Sequence, residues 1–266
     1  HELPLEWALG SYSLGRIADG VDECRRAARE QIREGAGVIK ICSTGGVMSE
    51  KDAPTHAQFV DEEIAAITTE AHRVGIKVMA HAQSPEGIQN AIRNGVDTIE
   101  HGIYLDTETI TMMLENNTIV VPTFAIVNAI VTKGVEAGVP EYGLIKAKAS
   151  HEEHIKSIKQ AYQAGVRIAL GTDFCGPDII PHGKNAVELE IFVKQVGMTP
   201  MEAIVAATKV GAETLGLEKE IGTLEKGKIA DILIIDGNPL DDITILQNKE
   251  KLIVIMKDGQ IKVDRR

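Results

Sequence analysis

The sequence predicts an α/β fold in which parallel strands close into a barrel surrounded by helices, and three observations carry that prediction. A unit of helix, short break and strand recurs five times along the chain. Its strands are mostly β-branched or apolar, as strands buried on both faces are. Residues able to do chemistry stand at the ends of several different strands. The five breaks and strands read REGAGVIKICS, RVGIKVMAHAQ, RNGVDTIEHG, ENNTIVVPTF and QAGVRIALGTDF. Each opens on the polar end of a helix with a Gly or Asn suited to a left-handed C-cap.

The helices between them are signalled in order. Thr55 and Gln58 form a capping box, followed by Val60, Ile64, Ile67, Ala71 and Val74 at steps of four and three. Ser84-Pro85 supplies an N-cap and a first-turn proline for a helix carrying Ile88, Ala91 and Ile92. Asp106 caps the helix with Ile110, Met113 and Leu114, and Ile155, Ile158 and Tyr162 mark another. Thr199 and Glu202 form a further capping box, opening a helix that runs to Val210. Alternating helices and buried strands imply right-handed crossovers, in an open doubly wound sheet or a closed (β/α)8 barrel. The Gly-x-Gly-x-x-Gly that would mark the open sheet is absent from the sequence, and the barrel gathers strand-end residues at one mouth.

Composition narrows the function. The chain has 266 residues, 44% of them hydrophobic, with 28 Lys and Arg against 39 Asp and Glu for a net charge of −11. That balance speaks against nucleic-acid or anionic-membrane partners. No apolar run is long enough for a membrane span. Three widely spaced cysteines, Cys24, Cys42 and Cys175, suit reduced thiols in a cytoplasmic protein, with Cys42 and Cys175 read as small packing residues near the mouth.

The strand ends are Lys40, His81, His101, Thr123 and Asp173. A single buried His is more often a hydrogen-bonded core residue than a ligand, but burying Lys, two His and Asp together without a function would be costly. Two His, a carboxylate and a fourth oxygen suit a divalent ion such as zinc. A lysine joins such a centre only when deprotonated or converted by carbon dioxide to a carbamate. Asp173 would then accept the proton of a water acidified by the metals.

With these residues in place, Val38-Ile39-Lys40, Ala80-His81-Ala82, Glu100-His101-Gly102 and Gly171-Thr172-Asp173 resemble the amidohydrolase superfamily. Ser43-Thr44-Gly45-Gly46, Pro181-His182-Gly183, Asn185 and Glu188-Leu189 resemble its imidazolonepropionase-like and Xaa-Pro dipeptidase (prolidase) branch. So does the tail from Gly222 through Ala230-Asp231-Ile232 to Gly237-Asn238-Pro239-Leu240. The resemblance implies a carboxylated Lys40 bridging two zinc-like ions, formed with carbon dioxide or bicarbonate. It makes His81 and His101 metal ligands, and Asp173 a ligand and general acid/base. The implied reaction is cleavage of an amide or dipeptide C–N bond by a hydroxide shared between the metals. His182 and Tyr104 are candidate substrate contacts.

The family's first-strand His-x-His is missing; the remaining histidines are His1, His56, His72, His151 and His154. His56 and His72 are read as the start and solvent face of one helix, and His151 and His154 as a solvated face. By the resemblance, Lys40 ends the fourth barrel strand, so residues 1–216 form an N-terminally incomplete barrel of about the last five βα units. Residues 217–266 form the C-terminal β segment of a small composite sandwich. Two open sheet edges imply a homo-oligomer or association with a missing N-terminal segment. The sequence is therefore expected to be a fragment, a split half, or a chain lacking its N-terminal region. Other readings stay open: a non-catalytic fragment or pseudo-enzyme, a cyclic-amide hydrolase, or a single-metal deaminase.

Overall fold

The computed structural model describes residues 15–173 and 179–266, so His1 and Cys175 lie outside the described residues. Helix α1 (Val21–Arg33) leads to β1 (Val38–Cys42), followed by α2 (Asp61–Arg73), β2 (Lys77–Ala82), α3 (Pro85–Arg93), β3 (Thr98–His101), α4 (Thr107–Asn116) and β4 (Ile119–Val121). The four strands form one parallel sheet in chain order. The fifth expected strand shrinks to a single bridge. Val120 donates to the Arg167 carbonyl and accepts from Ala169, each at 3.0 Å, which pairs it with Ile168. Pro122 has no N–H to extend β4, and Leu170 N–H leaves the ladder for the Ala206 carbonyl at 3.2 Å.

The pleat sorts the sheet's residues. Ile39, Ile41, Val78, Ala80, Ile99 and Val120 face the helices and pack with Ile64, Ile67, Ile88, Ile92 and Met113 in one core cluster. Each buried Ile, Val or Met among these contributes about 1.5–3 kcal/mol by leaving water. On the other face the register sets Lys40 against Met79, Cys42 against His81, and His81 against Glu100. Polar and charged residues thus line the side that a closed barrel would enclose.

The Ser84, Asp106 and Thr199 caps are present, with side-chain oxygens accepting from Gly87, Thr109 and Glu202 N–H. Helix α2 corrects the reading at Thr55. It opens at Asp61, where the Glu63 side chain accepts from Val60 N–H at 2.9 Å. Thr55 and Gln58 belong instead to the loop after β1, whose Gln58 N–H bonds the Ser43 carbonyl at 2.9 Å. Val60 and Val74, expected on the apolar stripe, are exposed.

Beyond β4 come α5 (Phe124–Lys133), the long α6 (Glu141–Ala164), α7 (Val187–Ile191), α8 (Pro200–Val205) and α9 (Gly211–Thr214). A separate antiparallel sheet holds β5 (Ile232–Ile235), β6 (Leu252–Lys257) and β7 (Gln260–Asp264). Asp258 and Gly259, both at positive φ, make the tight β6–β7 turn. Gln247 reaches Glu190 of α7 at 2.7 Å and Ile243 is buried, which ties this sheet's connection to the larger body. Leu233, Ile234 and Ile261 keep apolar surface exposed. Among the described residues no helix is long and apolar enough to cross a membrane.

Candidate functional site

Backbone strain collects at the strand ends. His101 (φ 75°), Thr123 (φ 57°) and Asp173 (φ 48°) all adopt the left-handed region, which side chains beyond glycine rarely enter. At His101 this matters for direction. Its register partner is Ala82, on the helix-facing side, so regular alternation would turn His101 away from the inner face. The left-handed peptide turns it back, and its ring lies edge-on to His81 with centroids 4.5 Å apart.

Fixed hydrogen bonds assign each ring a tautomer. His81 Nε2–H donates to the Gly45 carbonyl at 3.0 Å, leaving a lone pair on Nδ1. Thr123 donates its hydroxyl to the Pro122 carbonyl at 2.6 Å, so it must accept from His101 Nδ1–H at 2.7 Å, leaving a lone pair on His101 Nε2. Burial holds both rings neutral. It lowers His81 to about 4, and it takes His101 well below the ordinary histidine value, with the repulsion between the two rings were both protonated, and the charge of Lys40, adding to the effect.

Lys40 is exposed on the open inner face, and its charge acts on His81, His101, Glu100 and Asp173. Burial raises the Asp173 and Glu100 carboxyls, and Lys40 opposes both shifts. Thr98 donates to Glu100 at 2.7 Å on the same inner face. Among the described residues no three His, Cys, Asp or Glu side chains gather as a metal cage. Two neutral imidazoles with assigned lone pairs are nevertheless a donor set that fits a zinc-like ion, and the further oxygen would come from Lys40 as a carbamate.

The loop after β1 is built to hold His81. Ser43 Oγ donates to the Gly87 carbonyl at 2.8 Å, and Gln83 N–H donates to Thr44 Oγ1 at 3.1 Å. Gly45 presents its carbonyl to His81 where a Cβ would lie 2.3 Å from the Ala53 oxygen. Gly45→Ala is therefore expected to destabilise the chain by about 1–3 kcal/mol, read as a lower urea midpoint at unchanged slope.

Other expected site residues lie further out. Tyr104 follows β3, half-buried, with its N–H on the Gln83 carbonyl at 3.0 Å; burial and Glu153 raise its phenol. His182 is exposed in the turn from Pro181 to Lys184. The hydrogen bonds that fix the two imidazoles involve neither residue. Cys42 lies beside Lys40 on β1 and burial raises its thiol. His56 lies in the loop before α2, and His72 is half-exposed, 2.9 Å from Asp97.

His154 overturns the solvated-face reading: it is fully buried, its Nε2–H donates to the His101 carbonyl at 2.9 Å, and its ring meets Phe124 at 4.4 Å. Glu152 and Glu153 beside it hid this in the sequence. The visible signal was a stripe of Gly143, Ala147, Ser150, His154, Ser157 and Ala161 at alternating steps of four and three, all buried. Glu188 was noted only as part of a motif; it is buried and accepts from Phe124 and Ala125 N–H at 2.8 and 2.7 Å, behind Thr123. Asn185 reaches Thr172, next to Asp173, at 2.9 Å.

Comparison with known proteins gives the chain's family and fold. The profile described as "Amidohydrolase family" matches residues 2–262. Ochratoxinase of Aspergillus niger is 38% identical over 272 residues, covering 97% of this chain and 55% of that protein. A prolidase crystallised with N-methylphosphonate-L-proline superposes with a TM-score of 0.91 at 33% identity, over 99% of this chain and 64% of that one. A Xaa-Pro dipeptidase with methionine in its active site gives 0.85 at 37% identity, over 94% and 60%. The chain thus spans a little over half the length of ochratoxinase and under two thirds of the two solved chains. These neighbours share the α/β barrel architecture, of which the four-stranded parallel sheet is part.

Proposed function

Because the chain belongs to the amidohydrolase family, we propose that it is the site-bearing part of a metal-dependent hydrolase cleaving an amide or peptide C–N bond in a small dipeptide-like substrate. The observation that supports this reading is the imidazole pair, neutral and 4.5 Å apart, with the charge of Lys40 acting on both rings and on Asp173. His81 through Nδ1, His101 through Nε2, carboxylated Lys40 and Asp173 would hold two zinc-like ions. When bound, those ions supply Lewis-acid polarisation of the scissile carbonyl and acidify the attacking water.

The chain's own residues do the rest. Asp173 takes the proton of the attacking water and passes it to the leaving nitrogen. Its left-handed backbone and the Asn185 bond to neighbouring Thr172 hold the segment that carries it. Ligands of the related prolidases favour a substrate with a free carboxylate on the residue that leaves, proline first. Tyr104 and His182 remain the proposed contacts to it. A partner would complete the open barrel, either a second copy or an N-terminal segment bearing His-x-His, and a cytoplasmic location with Cys24 and Cys42 as free thiols belongs to the same proposal.

The test is metal analysis after preparation with zinc and bicarbonate, followed by a screen of Xaa-Pro dipeptides and N-acyl amino acids. Close to two zinc ions per chain with hydrolysis supports the proposal. Absence of both leaves the non-catalytic fragment. In the active preparation, Asp173→Asn is expected to lower kcat by about 100- to 10,000-fold, measured by release of the amino product.

A further inference from the structure

Helix α6 buries a stripe that is largely small or polar, and two of its polar members, His154 and Ser157, bond to carbonyls at the end of β3. His154 Nε2–H donates to the His101 carbonyl at 2.9 Å, and Ser157 Oγ donates to the Ile103 carbonyl at 2.7 Å. Nearer the other end of the helix, the Lys146 ammonium donates to the Ser49 and Asp52 carbonyls of the loop that holds His81. The His154 ring is held between this bond and Phe124, while its Nδ1 is buried with no partner. Simple packing would be better served there by an apolar side chain, which would bury no unpaired nitrogen. What the imidazole adds is its bond to the peptide of His101, whose left-handed backbone turns that ring toward His81, together with a weaker interaction with the Pro122 carbonyl.

We propose that His154 is a positioning residue of the metal site: its bond to the His101 carbonyl locks the left-handed peptide, and thereby the direction and tautomer of the His101 ring. The proposal rests on the reading that His81 and His101 are metal ligands. Without the bond, the His101 peptide can relax toward an ordinary conformation, and Nδ1–H then loses its fixed approach to Thr123.

The test is Zn²⁺ affinity of the full chain, measured by competition with a chromogenic chelator, together with ¹⁵N-histidine spectra of the zinc-free chain. His154→Leu is expected to weaken Zn²⁺ binding by about 10- to 100-fold and to turn His101 from a single Nδ1–H tautomer into a mixture. His154→Gln keeps an N–H donor at similar reach and is expected to restore both. His154→Asn, whose amide is too short for the bond, should behave like leucine and serves where leucine prevents folding. Wild-type affinity and tautomer in His154→Leu or His154→Asn would overturn the proposal, as would His154→Gln matching the leucine variant. Failure of the ligand reading shows elsewhere: His101→Asn would retain zinc, or the wild-type chain would bind none.

Discussion

Lys40→Ala is expected to remove bound zinc and to lower amide hydrolysis by at least about 100-fold while leaving stability within about 0.5 kcal/mol of wild type. The two halves of that result come from one structural fact. Lys40 is exposed on the inner face of β1, so its side chain packs little of the core, yet its charge reaches both imidazoles, Glu100 and Asp173. Under the proposed reading, the imidazole pair would take its next oxygen ligand from Lys40 as a carbamate. Elemental analysis of the two proteins prepared side by side with zinc and bicarbonate measures the first half, and urea unfolding the second. A variant that keeps one zinc ion and its activity would instead fit a single-metal deaminase and end the carbamate reading.

How much of this was legible in the sequence differs by level. The apolar runs around Ile39-Lys40-Ile41 and Val78-Met79-Ala80 announced parallel strands because they are short, mostly β-branched or apolar, and follow glycines that break the helices before them. The fifth strand was over-read: Val166 to Leu170 has a strand's composition, but pairing needs a partner, and β4 stops at Val121 before Pro122. Thr55 looked like an N-cap because Gln58 follows it at the right spacing, yet the loop after β1 claims that segment through Thr44 and Ala57, and Glu63 caps the helix from inside. At the site, residue type could name His81 and His101 as candidates, but not the positive φ that turns His101 inward. That angle is held by tertiary partners. His154 bonds the His101 carbonyl from 53 residues away, and Glu188 bonds the N–H of Phe124, next to Thr123, from 64 residues away, too far apart for any local pattern to connect.

Glu188→Leu is expected to cost the fold on the order of 4 kcal/mol at mildly acidic pH. Helix α5 has no side-chain cap of its own. Thr123, its N-cap residue, has its hydroxyl committed to Pro122 and His101. Two orphan donors of the first turn, Phe124 and Ala125 N–H, are met by the Glu188 carboxyl, and leucine would leave them buried and unpaired. Glu188→Gln keeps one acceptor and should cost less, and its pH dependence is the sharper test. Burial lifts the Glu188 carboxyl from the ordinary 4.5 to about 8, against the pull of the two N–H donors. A raised folded value means that the folded chain binds a proton the unfolded chain has lost. The wild-type advantage is then full below about 4.5 and fades as the pH climbs to about 8. Glutamine does not ionise, so the stability gap between wild type and Glu188→Gln should close across that window, as urea midpoints at about pH 5 and about pH 8 would record. A gap that widened on the alkaline side would mean that the carboxylate is ionised in the folded chain. The two N–H groups and the dipole of α5 would then be holding its charge, and Glu188 would be an anionic anchor behind Thr123 instead of a protonated one.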